Sequence, residues 1–331
     1  MANSNTLTTF IPQILAQAIL ELRANCVMPR LVNTDYGEEA KEKGDSVDIP
    51  IPATLSASAV SPSYVAPDDD GITPTKVNVP LSSWYEVPFF LSDKDMKNAM
   101  DGLIPSQLAS AVKALANQVD SDLFSVYTGI YGFAGTPGVT PFGTNTKEAT
   151  DAGKVLNDNL APPSQRRFVM STATNANALG LRPFQDMSFS GDASAINEGR
   201  IINKLGFDWH MDQSIPTHLT GAQDGAYVVN GVNALASTSL VVKTGTGDIH
   251  AGDQFTIAGD SQVYVVTTLH TGGAGTLTIS PGLKVATSGD EALTFKGTAS
   301  TTYQQDIFFQ REAIVFASRP LLDVDPTGRR D

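Results

Sequence analysis

The run "GDSVDIPIPATL", Gly44 to Leu55, is written as a β-strand and then denied neighbours. Val47, Ile49 and Ile51 alternate with other residues at the period of a pleated ribbon. Pro50 and Pro52 stand two apart on one face of that pleat. Proline donates no ladder hydrogen bond, so the pair excludes a central position in a sheet. A second strand-like run, "TKVNVPLSSWYEVPFFL" from Thr75 to Leu91, follows an acidic turn, "PDDDG" at Pro67 to Gly71. Pro62, Pro74, Pro80 and Pro88 keep the whole stretch extended. The two runs predict a long β-hairpin with few residues able to form a core. A hairpin alone is marginal in water. This one must lie on something else.

Around the hairpin the pattern is α+β. Ile11, Ile14, Leu15, Ala18, Ile19 and Leu22 predict an amphipathic helix over Phe10–Val27, with Pro12 in its first turn and Pro29 beyond its end. Ser92 caps a short helix reaching Met100, with Asp93 and Asp95 in its first turn. The clearest helix starts near Pro105, where Ile104, Leu108, Val112, Leu115, Val119, Leu123 and Val126 repeat at steps of three or four. Its length is a rod of roughly 34 Å, a spine. A further helix is expected over Lys147–Leu160. "RRFVMSTATNANALG" reads as strand into helix, with Ser171 or Thr172 as N-cap and Gly180 as the stop. "NEGRIINKLGFDWHMDQSIP" carries another strand of the same block. From Tyr227 to Lys296 the chain is short strand and glycine turn, with turn signals about every 10 residues, as in a small inserted barrel or sandwich. After it, "QDIFFQREAIVFASRPL" is long, apolar and strand-like, and is expected to rejoin the sheet left behind.

Charge narrows the function. With 22 basic and 35 acidic side chains the formal balance is −13, and no basic patch appears, which disfavours tight nucleic-acid binding. Cys26 is the only cysteine, so no internal disulfide or CxxC metal site can form. "MANSNTLTTF" lacks the features of a signal peptide, and no stretch approaches the roughly 18 apolar residues of a membrane helix. A soluble protein made in the cytoplasm is the expectation.

Motifs for chemistry are missing. His210, His218, His250 and His270 show no HExxH pairing and read as surface or hydrogen-bonded histidines. There is no GxSxG elbow and no phosphate-binding loop, and "GTGDIHAG" is a turn without dinucleotide-binding spacing. Asp68, Asp69 and Asp70 are consecutive, so they cannot converge on one cation as alternating ligands do. They are solvated hairpin-tip charges or partners for a neighbour's arginine. Asp93, Asp95 and Asp101 are helix-terminus charges, and Cys26 is a small buried hydrophobe. Trp84 and Tyr85 are either anchors for a partner or packing for their own strand. No catalytic residue, cofactor or metal ligand is expected.

In order along the chain, "VMPRLVNTDYGEEAKEKGDSVDIPIP", a long hairpin, a spine helix and an α/β block resemble phage major capsid proteins of the HK97-like fold. "AGDQFTIAGDSQVYVV" and "GTLTISPGL" resemble the insertion domain of the P22-type coat protein branch, and "QDIFFQREAIVFASRPL" resembles that branch's last peripheral strand. The resemblance implies a division of the chain: an N-terminal arm at 1–45, an extended loop at 46–90, a peripheral domain with the spine helix at 91–144, an axial domain at 145–226, an inserted β domain at 227–297, and a return strand and tail at 298–331. It implies contacts between copies through Tyr64, Asp68, Asp69, Asp70, Trp84 and Tyr85. It also implies pentamers and hexamers in an icosahedral shell around double-stranded DNA held without tight binding, with a portal and no membrane. Few residues precede the first helix, so a separate scaffolding protein is expected, with assembly in the host bacterial cytoplasm. The competing readings are a decoration or tail protein, and a β-rich enzyme or carbohydrate-binding module. The last would need an aromatic platform, for which Tyr227, Phe255, Tyr264 and Phe295 are sparse.

Overall fold

The computed structural model describes residues 26–37, 46–51, 74–88, 103–186, 191 and 194–319. The helices expected over Phe10–Val27 and Ser92–Met100 lie outside them, except for Cys26 and Val27, which are not helical. The chain divides into two compact units. One comprises Met1–Glu21, Val32–Leu115 and Val315–Asp331, and the other Leu22–Leu31 and Ala116–Ile314.

In the first unit, β1 (Ser46–Ile51) and β2 (Thr75–Pro80) form a two-stranded antiparallel ribbon. Its second strand stops at Pro80, and residues 81–88 belong to no strand. The sequence runs on in strand-like composition to Leu91, but Pro80 and Pro88 withhold the donors a longer ladder needs. Elsewhere in this unit Asn33 bridges Val315 in parallel, and Phe316 N–H donates to the Asn33 carbonyl at 2.9 Å.

The spine is α1 (Leu103–Ser125), 23 residues closed by a 3₁₀ turn at Val126–Gly129. Its buried line differs slightly from the expected stripe. Val112 and Leu123 are buried, but Val126 is 44% exposed, and the line takes in Ala116, Asp120 and Phe124 instead. Steps of four keep to one face of a 3.6-residue helix, and they carry one acid, Asp120, inside.

The second unit holds a three-stranded sheet built from β3 (Arg166–Met170), β4 (Asp208–Met211) and β12 (Ile307–Gln310), in the order β12-β3-β4. Strand β3 runs parallel to β4 and antiparallel to β12. The closing strand thus rejoins the earlier block, shorter than its apolar run because a 3₁₀ turn at Arg311–Ala313 ends it. It pairs with Arg166–Met170.

The register aligns Phe308, Phe168 and Trp209 in one row across the sheet. Phe168 stacks on Trp209 with centroids 4.6 Å apart, and Phe142 and Phe184 meet the indole edge-on at 5.5 and 5.3 Å. Ala149 and Ala152 of α2 (Lys147–Asp158) and Ala178 of α3 (Thr172–Gly180) complete this core. Small residues on the helices admit large rings on the sheet. Ser171 caps α3, accepting from Thr174 N–H at 3.3 Å. Asp306, just before β12, accepts from Ser171 N–H and Thr174 Oγ1, both at 2.6 Å.

Strands β5 (Thr217–Leu219) and β11 (Thr302–Gln304) pair with each other, so the residues between them leave and return through a two-stranded neck. Those residues form β6 (Ser239–Val242), β7 (Gln254–Ile257), β8 (Val263–Val266), β9 (Gly275–Ser280) and β10 (Leu293–Phe295), in the order β10-β7-β8-β9-β6. Bridges from Val229 to Val242 and from Val228 to Ala292 join the two outer edges into a small barrel. Its interior is Tyr227, Leu240, Phe255, Tyr264, Leu277 and their neighbours. Closure removes the open edges that short strands would otherwise leave.

Candidate functional site

The hairpin is two-faced. Ser46 and Asp48 of β1 face Asn78 and Lys76 of β2: Lys76 Nζ donates to Asp48 Oδ2 at 2.6 Å, and Asn78 Nδ2 donates to Ser46 Oγ and Asp48 Oδ1, both at 2.8 Å. The Lys76 bond, then the Asn78 bond, holds the Asp48 carboxyl below its ordinary pKa. On the other face Val47 pairs with Val79 and Ile49 with Val77, and Ile51 follows. Only Val47 is buried on this ribbon, at 4% exposed, whereas Ile51 and Val77 are 43% and 49% exposed. Among the described residues, the apolar face is covered at one end and bare toward the turn.

Trp84 lies in the non-strand stretch after β2 and is 77% exposed, with Tyr85 beside it at 48%. Tyr64, Asp68, Asp69 and Asp70 lie outside the described residues.

The structure also assembles a polar cluster at the neck that the sequence pattern did not reveal. His218 of β5, expected at the surface or hydrogen-bonded, is buried and bonded. Its Nε2 lies 3.0 Å from Asp253 Oδ1 and its Nδ1 lies 3.1 Å from the Tyr127 hydroxyl. The second oxygen of Asp253 accepts from Gly221 N–H at 3.0 Å and His250 N–H at 2.7 Å. Gly221 has no room for a side chain, since a Cβ there would meet the Asp248 carbonyl oxygen at 2.2 Å. Tyr303 of β11 meets the His218 ring edge-on at 5.6 Å. The cluster therefore ties together both neck strands, the barrel and the turn that ends α1.

Tyr127, His218 and Asp253 thus form a hydrogen-bonded chain inside the protein. Burial, then the Asp253 charge, raises the Tyr127 hydroxyl, and the same two causes push Tyr303 up to about 12. His250 differs: its Nδ1 faces the Leu219 carbonyl at 2.9 Å and its Nε2 faces Asp248 at 2.7 Å. Both neighbours accept, so the ring is satisfied only as imidazolium. The Leu219 carbonyl is the largest cause of its raised pKa, with Asp248 adding to it against burial.

Two further features lie in the second unit. Asp120, 2% exposed, accepts from Val27 N–H at 3.2 Å and Met28 N–H at 3.1 Å, fixing the chain that enters a 3₁₀ turn at Met28–Arg30. Burial raises its carboxyl, and the Asp212 charge adds to this against the two backbone bonds. Cys26 nearby is buried, as its apolar surroundings predict, and burial first pushes its thiol to about 11. A cleft of about 460 Å³ opens beside β4, lined by Arg30, Arg200, His210 and Asn175 with an apolar floor that includes Met170 and Met211. Burial first, then the Arg167 and Arg200 charges, pushes His210 down to about 4. Its Nε2 lies 3.2 Å from Asp208 but makes no hydrogen bond, and that carboxylate is already bonded to Arg167. No group of three or more metal-ligating side chains converges among the described residues, and no helix among them is long and apolar enough to cross a membrane.

A packed α+β body, and an amphipathic ribbon with Ile51 and Val77 exposed, are the features of a structural subunit. The sequence matches the family model of P22 coat protein, gene protein 5, over residues 1–287, and the chain belongs to that family. It is a structural major capsid protein of a phage shell. Solved structures resemble it loosely. One from Mycobacterium phage Che8 has 17% identity over 78% of this chain and 88% of its own, at a TM-score of 0.47. The capsid structure of cyanophage P-SCSP1u has 13% identity over 87% of this chain and 86% of its own, at 0.42. The mature capsid of bacteriophage PhiM1 has 9% identity over 84% of each chain, at 0.40. The assignment rests on the family match. No curated protein sequence matches the chain.

Proposed function

We propose that this subunit builds an icosahedral phage head of the HK97-like type, and that the hairpin is the arm by which each copy takes hold of another. The observation that carries this reading is the bare apolar face at Ile51 and Val77, beside a half-buried Ile49. A two-stranded ribbon gains too little from its own contacts to stand alone, so a face of β-branched residues left in water is a face awaiting cover. Residues 1–45 act as an N-terminal arm, 46–90 as the extended loop, 91–144 with the spine as the peripheral domain, 145–226 as the axial domain, and 298–331 as the return strand and tail. The barrel within 227–297 is the inserted domain.

Each contact is modest, and closure comes from many at once. A separate scaffolding protein guides assembly in the host cytoplasm, and a portal occupies one vertex. With a net charge of −13 the wall confines double-stranded DNA without gripping it. The role requires no catalysis.

The test uses Ile51→Asp with Val77→Asp. Both side chains are exposed in the subunit, so circular dichroism and the melting temperature should stay unchanged. Negative-stain microscopy and gradient sedimentation should show loss of shells. Normal shells from this variant would remove the hairpin from the assembly mechanism. Deleting residues 56–84 should reproduce the loss in a soluble, folded subunit.

A further inference from the structure

One ring spans the gap between the barrel and the strand that leads into it. His250 stands in the turn before β7, and its Nδ1 meets the carbonyl of Leu219, the last residue of β5, at 2.9 Å. Its Nε2 meets Asp248 Oδ2 at 2.7 Å, while the other oxygen of Asp248 accepts from Ala222 N–H at 2.9 Å. That Ala222 N–H, then the His250 ring, holds the Asp248 carboxyl below its ordinary range, so it keeps its charge where histidines titrate. A carbonyl and a carboxylate accept and cannot donate. A neutral imidazole has one N–H to offer them, and an imidazolium has two. The site is therefore complete only with the extra proton in place. Losing it leaves one acceptor facing a nitrogen lone pair.

The backbone beside the ring is tied to the same neck. His250 N–H donates to Asp253 Oδ2 at 2.7 Å, which also takes Gly221 N–H at 3.0 Å. Ile249 exchanges both backbone bonds with His270, at 2.8 and 2.9 Å, and the His270 ring faces the Gly273 carbonyl instead. The carboxylates that act on His250 are thus Asp248 in its own turn and Asp253 just ahead of β7. Behind Asp253 stand His218, then Tyr127 and Tyr303, each in contact with the His218 ring. The neck itself is short, since β5 and β11 pair over three residues each. So small a ladder does not hold alone, and a side-chain tie beside it governs how often it opens. The His250 side chain is 30% exposed, so its proton exchanges with solvent without unfolding.

We propose that His250 is a proton-operated latch on the neck: the protonated ring fastens the turn before β7 to β5, and loss of that proton frees one end and lets the neck open more often. The latch is a property of the single chain and stands whether or not the hairpin acts between copies. Its direction follows from the two acceptors. The Leu219 carbonyl first, and Asp248 with it against burial, raise the ring's pKa above the ordinary 6.5. The contribution is complete below the unfolded value and is lost as pH rises through the folded one.

The experiment is amide hydrogen exchange of the full chain, read by mass spectrometry from about pH 5.5 to about pH 9 and corrected for intrinsic rates. Peptides covering Leu219–Ala222 and Ile249–Asp253 should lose about tenfold in protection across that range, while those of the Phe168–Trp209 core keep theirs. The His250 ring titration, followed by NMR, should share the midpoint of this loss. His250→Gln has no such proton, so its neck should exchange at one corrected rate throughout, near the alkaline rate of the unaltered chain. Asp248→Asn can still accept but has no charge, and should move the midpoint to lower pH. Neck protection in the unaltered chain that ignores the His250 titration, or a midpoint that stays put in Asp248→Asn, would overturn the latch. So would an undiminished pH dependence in His250→Gln. The first two results need no change at His250, so a glutamine variant that failed to fold would leave the proposal exposed to them.

Discussion

Asp253 is the most informative residue to change, because one buried carboxylate serves three donors from three directions. Its oxygens accept from His218 Nε2, Gly221 N–H and His250 N–H, and it is 3% exposed. In Asp253→Ala all three donors lose their partner, and a buried donor left unpaired costs about 1–3 kcal/mol. Such losses are not additive within one network, and removing the carboxylate returns part of its desolvation cost. The expected net is about 4 kcal/mol, a large share of the roughly 5–15 kcal/mol that holds a domain folded. Asp253→Asn keeps one acceptor and should lose about half as much. Urea denaturation gives the totals. Amide hydrogen exchange at Gly221 and His250 says whether the loss is local to the neck, and protection there should fall before protection in the Phe168–Trp209 core. An alanine variant with an unchanged urea midpoint and protected neck amides would refute the claim that this carboxylate holds the barrel's entry and exit together.

Trp209→Ala removes the ring that contacts Phe142, Phe168 and Phe184, and should cost about 3–5 kcal/mol in chemical denaturation. Trp209→Phe should cost markedly less. For Asp120 the sign is set by burial: its folded pKa is raised, so its contribution is fully present below the unfolded value and lost as pH rises through the folded one. Asp120→Asn should therefore flatten the pH dependence of stability while leaving one of the two backbone N–H groups without its acceptor. Asp120→Ala should lose about 1–3 kcal/mol at every pH, because Val27 and Met28 N–H groups lose their acceptor. Thermal melts between pH 4 and 8 separate the two.

Local pattern carried most of the elements. The spine helix, the strand–helix step at Ser171, the short strands after Tyr227 and the ribbon around Pro50 all announce themselves by period and punctuation, because each is decided by neighbours within a few residues. What stayed hidden depends on distant pairs. His218 and Asp253 are 35 residues apart and meet only because β5 pairs with β11. Arg30 and Arg200 share a cleft across 170 positions. One clue was available: Asp120 sits four residues from both Ala116 and Phe124, so an acid on the buried stripe of a helix had to find a partner inside. The shift of the buried line away from Val126 has the same origin, since periodicity identifies a face only to within about one residue.

The neck and the ribbon follow opposite logic, and the contrast explains the prolines. At the neck every donor described finds an acceptor within the same chain, and the barrel closes its own edges. The ribbon leaves a face open, and its prolines decide how that face is used. Pro50 pairs with Lys76 and Pro80 with Ser46, positions of the same parity in the ladder. Alternate residues of an antiparallel strand turn their N–H groups outward, so both prolines can sit in this ladder only where their missing donors face away from the partner strand. The outer edges of both strands are thereby short of donors, and Pro52 continues the pattern in the sequence. Strand addition along the edge, the indiscriminate route by which exposed ribbons aggregate, is blocked. The exposed face at Ile51 and Val77 is then the proposed route of association. Replacing Pro50 with threonine would then leave the subunit folded but reopen the edge, and the product should shift from closed shells toward irregular aggregates.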